Sequence, residues 1–154
     1  MDTTGSAGVF ARDVAAIDRA IAIGVAAGRV ISVSFPAETP DDASDDHELL
    51  DRIEASLEGE ADALDDVAVA LTVPTDQRAV LDALGEIPRG ETVSVSRLTR
   101  LAGLDDNDPD DLALVTTALD ENPVPLLLPD HRVDGGPYAT PAGVRDALRR
   151  AEGI

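Results

Sequence analysis

A core without aromatic bulk is the first problem this chain has to solve. Hydrophobic residues make up 44% of it, but aromatic residues only 2%. The buried interior must therefore be built from Ala, Val, Leu and Ile. Charge works against compactness. Asp and Glu number 31, basic residues 12, every one of them Arg, for a formal net charge of −19. Self-repulsion on this scale destabilises a compact state. At molar salt the Debye length shrinks to about 3 Å and most of that repulsion disappears. A lysine-free, acidic, small-aliphatic chain reads as a cytoplasmic protein of an extreme halophile, with an acidic interaction protein as the alternative. In the first reading acidity reports the solvent, and the rule that DNA binders are basic loses force.

A length of 154 residues suits one domain or two small ones sharing an interface. With no cysteine there is no disulfide framework, thiolate metal site or thiol redox chemistry. No apolar run approaches the roughly 18–20 residues that span a bilayer. Met1-Asp2-Thr3-Thr4-Gly5 lacks a basic stretch leading into an apolar one, so no signal peptide is expected. The expectation is a cytoplasmic monomer with no membrane role and no cofactor.

Residues 1–8 are small and polar and read as disordered. Ile17–Val25 and Arg29–Phe35 read as a β-hairpin around Ala26-Ala27-Gly28. Val30, Ile31, Val33 and Phe35 fall mostly on alternate positions. The acidic stretch 38–48 reads as a solvated loop. Leu49, Leu50, Ile53 and Leu57 at helical spacing predict a helix over 46–58, ended by Gly59. Val67–Val73 reads as a short strand, and a boundary is placed near 72–76, dividing the chain into 9–73 and 74–154. Beyond it come a helix over Asp76–Leu84, a turn at Ile87–Gly90 and an extended piece at Val93–Val95. Ser96 is expected to cap a helix running to Ala102, ended by Gly103. A loop Leu104–Pro109 leads to a second helix over Asp110–Glu121, with Pro109 and its acids at the N-terminus. Two helices joined in this way are compatible with a helix-turn-helix, a weak signal alone. Pro141–Glu152 is a last helix with Val144, Ala147 and Leu148 inside.

Several short motifs recur in order. Gln77-x-x-Val80 with Leu84 is followed by Ile87-Pro88-Arg89-Gly90-Glu91 with Ser94, then by Leu98-x-x-Leu101-Ala102-Gly103. Next come Asn122-Pro123-Val124-Pro125, Pro129-Asp130-His131-Arg132-Val133, Gly136-Pro137-Tyr138 and Glu152-Gly153. The ordered set resembles the alkylguanine-DNA alkyltransferases, also called methylated-DNA–protein-cysteine methyltransferases, well over 75–154 and more loosely over 9–73. The resemblance implies an α/β fold: a small N-terminal α/β subdomain with an antiparallel sheet, then a helical subdomain with a winged-helix or helix-turn-helix-like DNA-binding motif. Members of the family enter the minor groove, flip the damaged base and hold it beside an acceptor cysteine.

The departures bear on function. The family's active-site stretch reads Pro-Cys-His-Arg-Val, and the cysteine position is Asp130. Alkyl transfer needs a thiolate activated by a neighbouring His; a carboxylate is a poor nucleophile toward a methyl ether. His131 and Glu152 occupy the family's relay positions, and Asn122 its Asn-Pro. The base-flipping Tyr falls at Val95 and the intercalating Arg near Ala113. Pro129, Asp130, Val133 and Tyr138 are the base-pocket candidates, and Arg97, Arg100 and Arg132 the DNA-contact candidates. Asp110, Asp111, Asp120 and Glu121 make the second helix anionic at both ends, unfavourable toward phosphates.

Each residue also has a plainer reading. Asp130 would be a satisfied partner of His131 or Arg132, helped by backbone N–H groups. Asn122 would hold its own loop, and Glu152 would pair with His131 or an Arg. Tyr138 is equally a core residue. His47, within Asp45-Asp46-His47-Glu48, superficially invites a metal and reads better as a helix start. Three functions stay open. The first is an alkyltransferase-like protein that binds alkylated guanine in double-stranded DNA without repairing it, flagging it for another repair protein, as in the cysteine-less branch of the family. The second is a degenerate member binding a protein or small molecule. The third is a different enzyme using Asp130 and His131 as base and orienter. The chain is not expected to be a methyltransferase in its reaction.

Overall fold

The computed structural model describes residues 7–41, 43–44, 46–60, 64 and 66–154, with Ala7 described in its backbone only. The first half is organised by a three-stranded antiparallel sheet in the order β1-β2-β3. Strand β1 (Ala7–Val14) pairs along its whole length with β2 (Arg19–Ala26). A 3-10 turn at Ala15–Ile17 joins them, and Asp18 closes it at φ 55°. Residues 7 and 8 thus open a strand and are not part of a disordered start; residues 1–6 lie outside the described chain. Strand β3 (Arg29–Ser34) completes the hairpin that the sequence predicts. Its two-residue turn, Ala27 at φ 52° and Gly28 at φ 76°, takes positive φ at both central positions, which matches the right-handed twist of the strands.

Alternation along β3 is broken. The register shifts between Gly24 and Val25, leaving Ile31 without a partner. Ile31 is a bulge residue and 43% exposed, while Val30, Val33 and Phe35 are buried. The expected strand at Val67–Val73 does not form. Only Val69 bridges, opposite Val30, through Val30 N–H to Ala68 O and Ala70 N–H to Val30 O. Past the bulge the next inward N–H of that edge, Val33, donates to Pro123 O instead. The acidic loop is only partly solvated: Ser44 lies beside β1 and accepts from Ala11 N–H at 2.8 Å, while Asp42 and Asp45 lie outside the described residues.

Helix α1 (Glu48–Leu57) buries Leu49, Leu50, Ile53 and Leu57. His47 caps it, its Nδ1 accepting from Leu49 N–H, and its ring lies 4.7 Å from that of Phe10. Helix α2 (Thr75–Leu84) begins the second half. A short strand β4 (Val93–Ser94) leads straight into α3 (Val95–Leu101). The cap of α3 is Ser94, whose hydroxyl accepts from Arg97 N–H at 3.1 Å; Ser96 lies one residue inside the helix. Helix α4 (Pro109–Asp120) has Asp108 as its cap and Pro109 at its first position. A 3-10 turn (Asp130–Arg132) runs into β5 (Val133–Asp134), which pairs parallel with β4, and α5 (Ala142–Glu152) closes the chain.

Two hydrophobic clusters result, built almost wholly of aliphatic residues. One lies between the sheet, α1 and α5, and takes in Val124, Leu126 and Leu127. The other joins α2, α3, α4 and Val133. Leu71 and Leu128 touch both. A division into 9–73 and 74–154 therefore describes the order of the elements and not two independent cores, since the 124–127 loop and α5 complete the first. Among the described residues no helix is long and apolar enough to cross a membrane.

Candidate functional site

The site is built where the 3-10 turn meets the end of α5. Asn122 sets up the approach. Its side-chain amide donates to Leu128 O at 2.9 Å and its carbonyl accepts from Val124 N–H at 3.1 Å. This closes the proline-rich loop on itself, with Leu126 at φ 79° near its apex. Asn122 therefore holds its own loop, as the plainer reading expects, and makes no bond to Asp130 or His131.

Asp130 is 0% exposed. Its Oδ2 accepts from Ala139 N–H at 2.7 Å and Thr140 N–H at 3.1 Å, and its Oδ1 from the Thr140 hydroxyl at 2.6 Å. Burial pushes its pKa up, and the three hydrogen bonds and the nearby His131 oppose that rise. The expected ion pair with His131 or Arg132 does not form: His131 and two nitrogens of Arg132 bond Glu152, and the third Arg132 nitrogen bonds Ile87 O. Asp130 and His131 are consequently not assembled as base and orienter.

Glu152 is the shared acceptor. Its side chain is 2% exposed. His131 Nε2 lies 2.7 Å from Oε2. Arg132 grips the carboxylate with two donors, Nε to Oε1 at 2.8 Å and Nη2 to Oε2 at 3.0 Å, and Gly90 N–H reaches Oε1 at 3.2 Å. Burial alone raises the Glu152 pKa; the hydrogen bonds and electrostatic pull of His131 and Arg132 outweigh it and bring it down to about 2. An ionised carboxylate only accepts, so His131 donates to it from Nε2–H. His131 Nδ1 is buried with no partner among the described residues.

Arg132, a DNA-contact candidate by sequence, does not face solvent. Its residue is 6% exposed, and its remaining donor, Nη1, is spent on Ile87 O at 2.7 Å. It is a packing residue that ties the 3-10 turn to α5 and to the Ile87–Gly90 turn. Two participants escaped the sequence reading. Arg89 donates to Ser56 and to Ala151 O, joining the ends of α1 and α5. Thr140 supplies two of the three bonds to Asp130. Neither carries a periodic or motif signal of its own.

Of the other candidates, Pro129 and Val133 are buried, and Tyr138 is half-buried with the Arg145 guanidinium 4.0 Å from its ring centre. A cleft of ≈ 400 Å³ runs past Pro129 and Arg132, walled by Ile87, Pro88, Arg89 and Leu127. Arg97 and Arg100 are exposed on α3, and Arg100 pairs with Asp106 at 2.6 Å. Val95 is half-buried at the start of α3; Ala113 is exposed on α4, on the same face as Asp110, Thr117 and Asp120.

Glu152 and Asp130 couple stability to pH with opposite signs. The folded pKa of Glu152 is depressed from 4.5 to about 2, so its stabilisation is present above 4.5 and lost as pH falls toward 2. That of Asp130 is raised from 3.8, so its contribution is present below 3.8 and lost as pH rises. Urea unfolding in molar KCl is expected to show Asp130→Asn gaining stability relative to wild type as pH rises from 4 to 7. A difference independent of pH over that range would contradict the burial effect on Asp130.

An antiparallel sheet followed by a helical domain, with a His–Glu–Arg cluster behind a Pro-Asp-His-Arg turn, defines a protein of the alkyltransferase class. The model of the 6-O-methylguanine DNA methyltransferase DNA-binding domain matches residues 75–153, just over half of the chain, and the chain belongs to that family. It is 39% identical over 83 residues to the methylated-DNA–protein-cysteine methyltransferase of Methanothermobacter thermautotrophicus, a match covering 51% of this chain and 44% of that protein, so it spans under half the length of this relative. Its fold is similar to that of the Mycobacterium tuberculosis O6-methylguanine methyltransferase (TM-score 0.70, 21% identity, 94% and 93% of the two chains). It is likewise similar to the Mycobacterium tuberculosis OGT in complex with DNA (0.71, 22%, 94% and 91%). The Pyrococcus kodakaraensis O6-methylguanine-DNA methyltransferase matches with a TM-score of 0.66, at 20% identity over 96% and 100% of the chains. This chain has no cysteine.

Proposed function

We propose that the protein recognises alkylated guanine in double-stranded DNA and does not take up the alkyl group. The observation that carries this reading is Asp130. The acceptor position holds a buried carboxylate bonded three times over, while the surrounding His131–Glu152–Arg132 cluster and the Asn122 clamp are intact. A recogniser needs the frame and not the nucleophile. Arg97 and Arg100 on α3 are the phosphate contacts in this reading, and the lesion is left for another repair protein. The chain works as a cytoplasmic monomer in a halophile, where molar salt screens the acids of α4 from the DNA. The test is fluorescence anisotropy of a duplex with one methylated guanine beside the unmodified duplex, in molar KCl. Tighter binding to the lesion is expected, with Arg97→Ala weakening both duplexes alike. Equal affinity for the two duplexes would defeat lesion recognition.

A second reading, a module for a protein or small molecule without DNA binding, is favoured by one observation. The exposed face of α4 carries Asp110, Ala113, Thr117 and Asp120 and no cation. Absence of binding to either duplex would select it.

A further inference from the structure

The bonds of the Asp130 side chain all run to one short segment. Its three donors come from Ala139 and Thr140, nine and ten residues further along. The same segment is fastened once more from outside, by Arg145. Inside the segment the Tyr138 ring folds back over Gly136, so close that a Cβ there would stand 2.7 Å from it. The Arg145 guanidinium sits at 4.0 Å from the centre of the same ring. Two backbone N–H groups and a hydroxyl converging on one point form a receptor for an oxygen acceptor. Here the acceptor comes from the chain itself and is wholly shielded from solvent.

We propose that Asp130 is an internal ligand that shuts the site, holding residues 136–140 as a strap that must release it before any base or other group can enter. The latch stands on these contacts alone; its consequence for base entry rests on the function proposed above. The polar convergence at Asp130 and the Arg145–Tyr138 contact both hold the strap on the position where the family keeps its acceptor. A ligand entering here competes with bonds already made, and each hydrogen bond to a charged acceptor is worth roughly tenfold or more in equilibrium.

Hydrogen exchange followed by mass spectrometry tests the latch without DNA. In Thr140→Val, close in shape and retaining its N–H, the peptide covering 136–142 is expected to exchange roughly tenfold faster, with α2 and α4 unchanged. In Asp130→Gly, added formate is expected to restore protection to the strap, occupying the receptor the carboxylate has left. Unchanged exchange in Thr140→Val, or acceleration spread evenly over the whole chain, overturns the proposal. So does a folded Asp130→Gly protein on which formate has no effect. Anisotropy then separates the two ideas. If the strap loosens and affinity rises several-fold for the methylated duplex alone, latch and lesion reading both stand. If the strap loosens and neither duplex binds, the latch stands and the lesion reading falls.

Discussion

Glu152→Ala is expected to cost the fold about 3–5 kcal/mol. The carboxylate accepts from His131, twice from Arg132 and from Gly90 N–H, with side chains 0%, 7% and 2% exposed for His131, Arg132 and Glu152. Taking away the shared acceptor leaves a buried guanidinium without its countercharge. It also removes the Gly90 N–H bond, leaving the Ile87–Gly90 turn tied to the end of α5 through Arg89 and Ala151 O. Alanine forms helix well, so the loss cannot be assigned to α5 itself. Glu152→Gln is expected to fall between, since it keeps one acceptor oxygen and loses the charge. Urea unfolding in molar KCl measures all three proteins; a loss under about 1 kcal/mol for the alanine variant would mean that Arg132 finds water instead.

The second large effect is at Asp130, and there the identity of the replacement decides the outcome. Asp130→Ala orphans the N–H groups of Ala139 and Thr140 inside the protein, at about 1–3 kcal/mol for each unsatisfied group. Asp130→Asn is expected to be near neutral at pH 7. Its carbonyl can accept both N–H groups, and its amide can donate to the Thr140 oxygen, which turns from donor to acceptor. The buried charge disappears at the same time, removing the desolvation that raises the Asp130 pKa. The comparison is made by the same unfolding measurement. Equal losses in the two variants would show that the charge, and not the pattern of acceptors, holds the strap.

Much of the fold is legible in the sequence, for reasons specific to its elements. Helices α1 and α5 show because their aliphatic residues fall on one face, and α4 because Pro109 and the acids around it mark its start. The hairpin shows because two apolar runs flank Ala27-Gly28. Strand β1 does not show: Gly8, Arg12 and Asp13 dilute its pattern, and it exists because β2 and Ser44 occupy its two edges. Val67–Val73 has strand composition but finds only Val30 to pair with, since Pro123 takes the next place on that edge. Ser94 and Ser96 are both chemically able to cap α3, and composition cannot choose between neighbours two apart. At the site, the order of motifs singles out Asn122, Asp130, His131 and Glu152. What it cannot convey is who bonds whom. Arg132 counts as a cation in the sequence, yet in the fold it is consumed by Glu152 and Ile87. Thr140 counts for nothing in the sequence, yet it is the principal partner of Asp130.

The most direct measurement is the intact mass of the protein after incubation, in molar KCl, with a duplex carrying one methylated guanine, alongside the fraction of duplex bound. Binding to the lesion, with protein mass unchanged and the methyl group still on the DNA, is the predicted result. A protein heavier by one methyl group would contradict it, placing a working acceptor in a chain whose acceptor position is a buried aspartate.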